Sequence, residues 1–191
     1  MSAVDRKDVT IYSCMSENYE KIRDDRIYIP PSDKFKKGVL NAKIPKILSH
    51  KYIDTEWSIW VDGNINFKID PLELLEIFEY KEVGVFRHPQ RSQVNEEIDI
   101  CKKVKLDTPE RLDYHRDNPG RLAYCGVIVR KNTPAVAKYN EKWWAEVCRG
   151  SNRDQVSFPY TLGQIANYKD LKGKGNIHES NDYYSRSPHG H

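Results

Sequence analysis

Short apolar runs alternate along this chain with charged segments whose apolar residues recur at helical spacing, and each run predicts an element. Residues 9–14 (VTIYSC) are β-branched and apolar enough for a buried first strand, which exits into a polar loop spanning Ser13 to Tyr19. Residues 26–29 predict a second short strand, stopped by Pro30 and Pro31. Beyond Ala42, the residues Ile44, Ile47, Leu48 and Tyr52 fall at helical spacing, with Lys43, Lys46 and Lys51 on other faces, as expected of an amphipathic helix lying on a sheet. Residues 57–61 (WSIWV) read as a strand with Asp62, Gly63 and Asn64 as the turn at its carboxyl end. Strand-like residues 65–69 lead to Asp70 and Pro71, which start a helix over 72–80.

The same alternation continues. Residues 83–87 (VGVFR) form a strand that ends in the polar His88, Pro89, Gln90 and Arg91. Charged segments 94–104 and 109–117 predict partly exposed helices, and 123–130 (AYCGVIVR) a strong strand with Gly126 inside it, where a ligand or another backbone can come close. Val136, Tyr139, Trp143 and Val147 mark a helix that closes near Gly150. Strands alternating with helices predict an α/β sandwich with a mostly parallel sheet. After Tyr168 the chain is rich in Gly, Ser and Asn without a hydrophobic period, and left alone it predicts disorder.

Composition narrows the function classes. At 191 residues the chain suits one domain with one core. Lys plus Arg number 31 against 28 Asp plus Glu, a net charge of +3 spread along the chain, which permits an anionic ligand. No basic arm and no aromatic RNA-binding signature is present, so no nucleic-acid partner is expected. Cys14, Cys101, Cys125 and Cys148 form no C-x-x-C pair, which argues for free thiols rather than a zinc or redox motif. No run approaches the roughly 20 apolar residues of a membrane span, and the first residues hold no apolar leader core, so a cytoplasmic protein is expected.

Three constellations carry candidate chemistry. Asp62 and Asn64 on a glycine turn at a strand end supply hard oxygens suited to Mg²⁺ or Mn²⁺, while the same three residues also favour a plain hairpin turn. Asp154, beside Arg153 and Gln155, follows a strand-helix unit that returns to the carboxyl edge of the sheet, and it also reads as a helix N-cap. Arg87, His88 and Arg91 at a strand end could grip a pyrophosphate, or pair with Glu96 and Glu97 as a polar loop.

Taken in order, these pieces resemble a family of glycosyltransferase-like domains found in plants, bacteria and viruses and long catalogued as a domain of unknown function. The resemblance runs from Lys43 and Lys46 through Trp60, Asp62, Gly63 and Asn64, then Arg87 to Arg91, Glu96 and Glu97, Gly126 to Arg130, and Trp143 and Trp144, to Arg153, Asp154 and Gln155 and on to Tyr160. The same order is similar to that of retaining GT-A enzymes of glycosyltransferase family 8, with Asn64 in place of the second aspartate of their D-x-D. The resemblance implies a single GT-A-like (Rossmann-like) α/β/α sandwich over 1–168 and a tail, 169–191, packing over the active site. It implies transfer of a sugar from a UDP- or GDP-sugar to a hydroxyl of a glycan or other acceptor. Mn²⁺ or Mg²⁺ would be held by Asp62, Asn64 and a tail histidine, His189 first and His178 second. Lys43 and Arg91 would face the phosphates, Tyr19 the base, Asp62, Gly63 and Gly126 the donor, and Asp154 with Arg153 the chemistry. A metal-dependent phosphohydrolase or nucleotidyltransferase, and a silent carbohydrate-binding domain, are the alternatives.

Overall fold

In the computed structural model, residues 4–15, 22–117, 120–162, 165, 167–171 and 180–187 are described. The elements are β1 (Val9–Cys14), β2 (Ile27–Ile29), α1 (Gly38–Ile47), β3 (Trp57–Val61), β4 (Ile65–Phe67), α2 (Glu73–Ile77), β5 (Val83–Arg87), α3 (Val94–Lys103), α4 (Pro109–Asp113), β6 (Ala123–Lys131), α5 (Pro134–Arg149), α6 (Asp154–Leu162), β7 (Tyr168–Leu171) and β8 (Tyr184–Arg186). Six strands form one sheet in the order β2-β1-β3-β6-β5-β7, and β4 pairs with β8 in a separate ribbon. β6 is antiparallel to both β3 and β5, while the β1·β2, β1·β3 and β5·β7 pairs are parallel. Five strands therefore point one way and β6 alone the other, which is the mostly parallel α/β sheet the alternation predicts.

All five residues of β3 are buried, because the strand is covered on both faces, and such a strand reads as a continuous apolar run. Its side chains alternate. Trp60 points to the face packed by α1, α5 and α6, together with Ile44, Ile47, Trp143 and Phe158. Trp57, Ile59 and Val61 point to the other face, with Leu74, Leu75 and Phe78 from the α2 segment and Ile65 and Tyr184 from the small ribbon. The second covering layer is thus one short helix plus a two-stranded ribbon rather than a row of helices. A third cluster, Val94, Ile98, Cys101, Leu112, Leu122 and Val156, holds α3 and α4 against α6.

Several expected boundaries shift for identifiable reasons. α1 begins at Gly38, before Ala42, and gives way after Ile47 to a 3-10 turn at Ser49–Lys51, leaving Tyr52 exposed. Positive φ at Glu79 (55°) and Tyr80 (53°) ends α2 early, since neither residue sits in a helix at that angle. The division expected at residue 168 falls at the first residue of β7. β7 and β8 need no hydrophobic period because an edge strand is held by main-chain ladders: Tyr168 is exposed while its backbone pairs with Val83. Among the described residues no helix is long and apolar enough to cross a membrane, and the four cysteines are free.

Candidate active site

Because β3 alternates, Asp62, two residues past Trp60, lies on the α1 side of the sheet just beyond the strand's carboxyl end. Its Oδ1 accepts the Trp60 indole N–H at 2.8 Å and lies 3.3 Å from the Lys46 ammonium. The turn is real as well: the Ile65 N–H bonds the Asp62 carbonyl at 3.0 Å. Arg26 braces it from behind, donating to the Asp62 and Ile65 carbonyls at 3.3 and 2.9 Å. The turn reading of Asp62-Gly63-Asn64 holds, and the turn leaves Asp62 lining a cleft. That cleft, of about 630 Å³, is also lined by Lys43, Lys46, Gly63, Asn64, His88, Arg91, Tyr124, Gly126, Arg153, Asp154 and Arg186.

Lys43 and Lys46 do not decorate the outer face of α1. They turn inward on Asp154, at 2.5 and 2.8 Å, with the Lys46 and Asp154 side chains only 8% and 5% exposed. Burial alone would raise the Asp154 carboxyl, but the two ammonium groups and their hydrogen bonds outweigh it and hold that carboxyl far below the usual carboxylate range. Burial also opposes the charge on Lys46, yet Asp154 and then Asp62 leave its pKa raised. Lys43 ends lowered: burial dominates, Asp154 opposes it, and neighbouring Lys46 adds to it. Asp154 is thus no N-cap. Lys46, assigned no role in advance, joins the two carboxylates, and its i, i+3 spacing from Lys43 was the available signal.

α1 owes its position to Arg130 in β6, a fully buried guanidinium that donates to the Lys46 and Ile47 carbonyls at 2.6 and 3.1 Å. It also donates to the Tyr12 hydroxyl at 2.6 Å and to Asn140 Oδ1 at 3.1 Å. These carbonyls are the orphan acceptors of a helix C-terminus, so the helix end itself offsets the buried charge.

Opposite α1, Glu97 of α3 is buried between Arg91, at 2.6 Å, and Arg153, at 3.3 Å. Burial pushes its carboxyl up, but Arg91 and Arg153 pull it lower overall. Both arginines line the cleft already tethered, and Arg87 turns away to grip Asp170 of β7 through two contacts, at 2.9 and 3.2 Å. Gly126 serves packing first. A Cβ there would lie 2.4 Å from the Tyr124 ring, and the β5·β6 register shifts between Val85 and Phe86. Such irregularities re-aim side chains. Gly126→Ala is expected to displace Tyr124 and cost about 2 kcal/mol of stability, read by urea denaturation; an unchanged midpoint would mean the ring has room to move.

Tyr124 in turn stacks on Tyr184 at 5.9 Å and carries the Arg186 guanidinium over its ring at 5.7 Å. Arg186 is a second cleft cation with no assigned role in advance, because nothing in the Gly- and Ser-rich tail marks it. Asn64 is buried and anchors that tail, its Nδ2 donating to the Ser187 carbonyl at 3.2 Å. Of the set expected to hold a divalent ion, the described residues that line the cleft are Asp62 and Asn64. No three His, Cys, Asp or Glu side chains gather elsewhere among the described residues. Tyr19, His178 and His189 lie outside the described residues.

Comparison with known proteins gives this cleft a family. Probable hexosyltransferase MUCI70 of Arabidopsis thaliana is 30% identical over 72% of this chain, which spans about a quarter (26%) of that relative's length. Among solved structures, a glycosyltransferase involved in glycosylation of the major capsid of PBCV-1 aligns with a TM-score of 0.49 and 10% identity, over 86% of this chain and 81% of its own. Mouse xyloside xylosyltransferase 1, in its apo form, aligns with a TM-score of 0.39 and 14% identity, over 70% and 51%. The profile described as TOD1/MUCI70, glycosyltransferase-like domain matches residues 15–183, and the chain belongs to that family.

Proposed function

We propose that the chain is a glycosyltransferase that moves a hexosyl group from a nucleoside diphosphate sugar, with UDP or GDP as the nucleotide, to a hydroxyl of a glycan or other acceptor. The observation that carries this reading is the cleft itself: two carboxylates, Asp62 and Asp154, stand among Lys43, Lys46, Arg91, Arg153 and Arg186 beyond the carboxyl end of β3. In such a reaction the bond from the anomeric carbon to the diphosphate oxygen breaks, the acceptor oxygen bonds to that carbon, and the acceptor hydroxyl's proton passes to the departing diphosphate. Negative charge gathers on the departing diphosphate, and preset cations beside it lower the barrier. In this reading Lys43, Lys46 and Arg186, which line the cleft, would supply those cations together with Arg91, itself paired with Glu97.

Asp154 suits orientation of the donor sugar better than proton removal. A carboxylate held so far below its usual range is a weak base at neutral pH, while its charge favours the positive character that builds at the sugar. Asp62 would hold Mn²⁺ or Mg²⁺, with Asn64 and a tail histidine, His189 or His178, as further ligands in this reading. Such an ion supplies Lewis acidity toward the leaving diphosphate.

Calorimetric titration of UDP- and GDP-sugars with and without Mn²⁺ tests the reading; no metal-dependent binding of any of them would sink it. Binding without transfer or slow sugar release would point to a silent domain. Asp62→Ala is expected to lower Mn²⁺-dependent nucleotide affinity at least about 100-fold and to leave the fold intact, since the turn is also held by backbone bonds. Retained affinity in that variant would reduce Asp62 to a turn residue.

A further inference from the structure

A second hollow, of about 560 Å³, is bounded by Lys37, Lys102, Lys105, Leu106, Asp107, Thr108 and Pro109. It adjoins the cleft at two points. Lys37 is followed directly by Gly38 and Val39, which line the cleft. Asp107 accepts the Ser151 hydroxyl at 3.1 Å and the Asn152 N–H at 2.9 Å, and from Asn152 the chain reaches Asp154 within about 7 Å.

The hollow is positively charged. Its carboxylate, Asp107, is buried at 1% side-chain exposure and pairs at 3.8 Å with Lys37, which remains 62% exposed. Lys102 pairs with Asp113, and Lys105 makes no ion pair among the described residues. Lys105 also sits where glycine is the usual choice. It ends α3 with φ 56°, its own N–H bonding the Lys102 carbonyl at 3.1 Å and the Leu106 N–H bonding the Cys101 carbonyl at 2.9 Å, the two bonds of a left-handed helix stop. A lysine held in that conformation is strained, and strain of this kind gathers at functional positions. Half-exposed Leu106 and Pro109 add apolar surface of the kind that sugar-ring faces pack against.

We propose that this hollow binds carboxylate-bearing sugars of the acceptor, so that the acceptor is an acidic glycan running from the lysines into the cleft at Asp154. The proposal rests on the glycosyl-transfer reading above and adds the acceptor class. A groove with cations and apolar patches fits uronic acid residues, whose rings offer both a charge and an apolar face.

The test uses the full chain, a short oligouronate, its methyl ester, and UDP with Mn²⁺ as a separate ligand. The oligouronate is expected to bind about 10-fold tighter than its uncharged ester, with the difference shrinking as salt rises from about 50 to 300 mM. Lys37→Ala combined with Lys105→Gly is expected to weaken oligouronate binding about 5- to 10-fold, to leave UDP affinity unchanged, and to keep Tm within about 2 °C, because glycine relieves the strain at position 105. Equal binding of acid and ester, or an unaffected double variant, would overturn the proposal. Failure of UDP to bind the unaltered chain would count against the transfer reading instead, and lysine-dependent oligouronate binding would then still support the hollow as a glycan site.

Discussion

Asp154→Asn is expected to lose at least about 1000-fold in turnover and about 3 kcal/mol in stability. Both losses come from the same atoms. The two lysines are buried against one carboxylate, and an amide in its place leaves two ammonium groups out of water without a counter-charge. Adding Lys43→Met to Asp154→Asn is then expected to recover part of the stability and none of the turnover, which separates the penalty of a stranded charge from the loss of chemistry.

The pH dependence follows from the direction of the shift. Because the folded-state carboxyl lies well below its unfolded value near 3.9, its stabilising contribution is complete above that value and drains away as pH falls further. Urea titrations should therefore show the gap between the parent and Asp154→Asn closing below about pH 4. A constant gap from pH 6 to pH 3 would mean that the lysine pairing contributes nothing. The raised Lys46 adds a contribution present below its unfolded value of about 10.4 and lost as pH climbs beyond it, and the lowered Lys43 works against it in the alkaline range.

Arg130→Met is expected to cost about 4 kcal/mol, a large part of the roughly 5–15 kcal/mol that keeps a typical domain folded. Methionine fills comparable space but abandons the Lys46 and Ile47 carbonyls, the Tyr12 hydroxyl and Asn140, each a buried polar group whose unmet hydrogen bond costs about 1 to 3 kcal/mol. Arg130→Lys should retain part of this, since an ammonium can satisfy some of the same acceptors. In that milder variant the donor KM should rise more than the stability loss predicts, because the end of α1 that carries Lys43 and Lys46 is no longer fixed. A KM unchanged from the parent would detach Arg130 from the site.

The apolar runs located the strands closely because β1, β3, β5 and β6 are buried on both faces. Direction was not legible. A fully buried strand reads the same parallel or antiparallel, so the reversal of β6 emerges only with its partners. Lys46 was hidden for a related reason: on a helix wheel it belongs to the polar face, and the carboxylate that draws it inward lies more than 100 residues away. The ordered motifs did bring Lys43, Asp62, Arg91, Gly126, Arg153 and Asp154 to one cleft. They did not reveal that Gly126 makes room for Tyr124, that Asn64 is tied to Ser187, or that Arg186 arrives from the tail, since each depends on a pairing across the fold.

The β4·β8 ribbon sets a clock on the cleft. Asn66 and Ser187 bond across a separation of 121 residues, and ribosomes add roughly 5–20 residues per second. During synthesis the turn after Asp62 therefore waits roughly 6–24 s for the strand that covers it and delivers Arg186. Throughout that interval β4 is an open edge, the kind of surface on which a neighbouring nascent chain can pair. Its brevity, three residues followed by Lys68, is a safeguard for the wait.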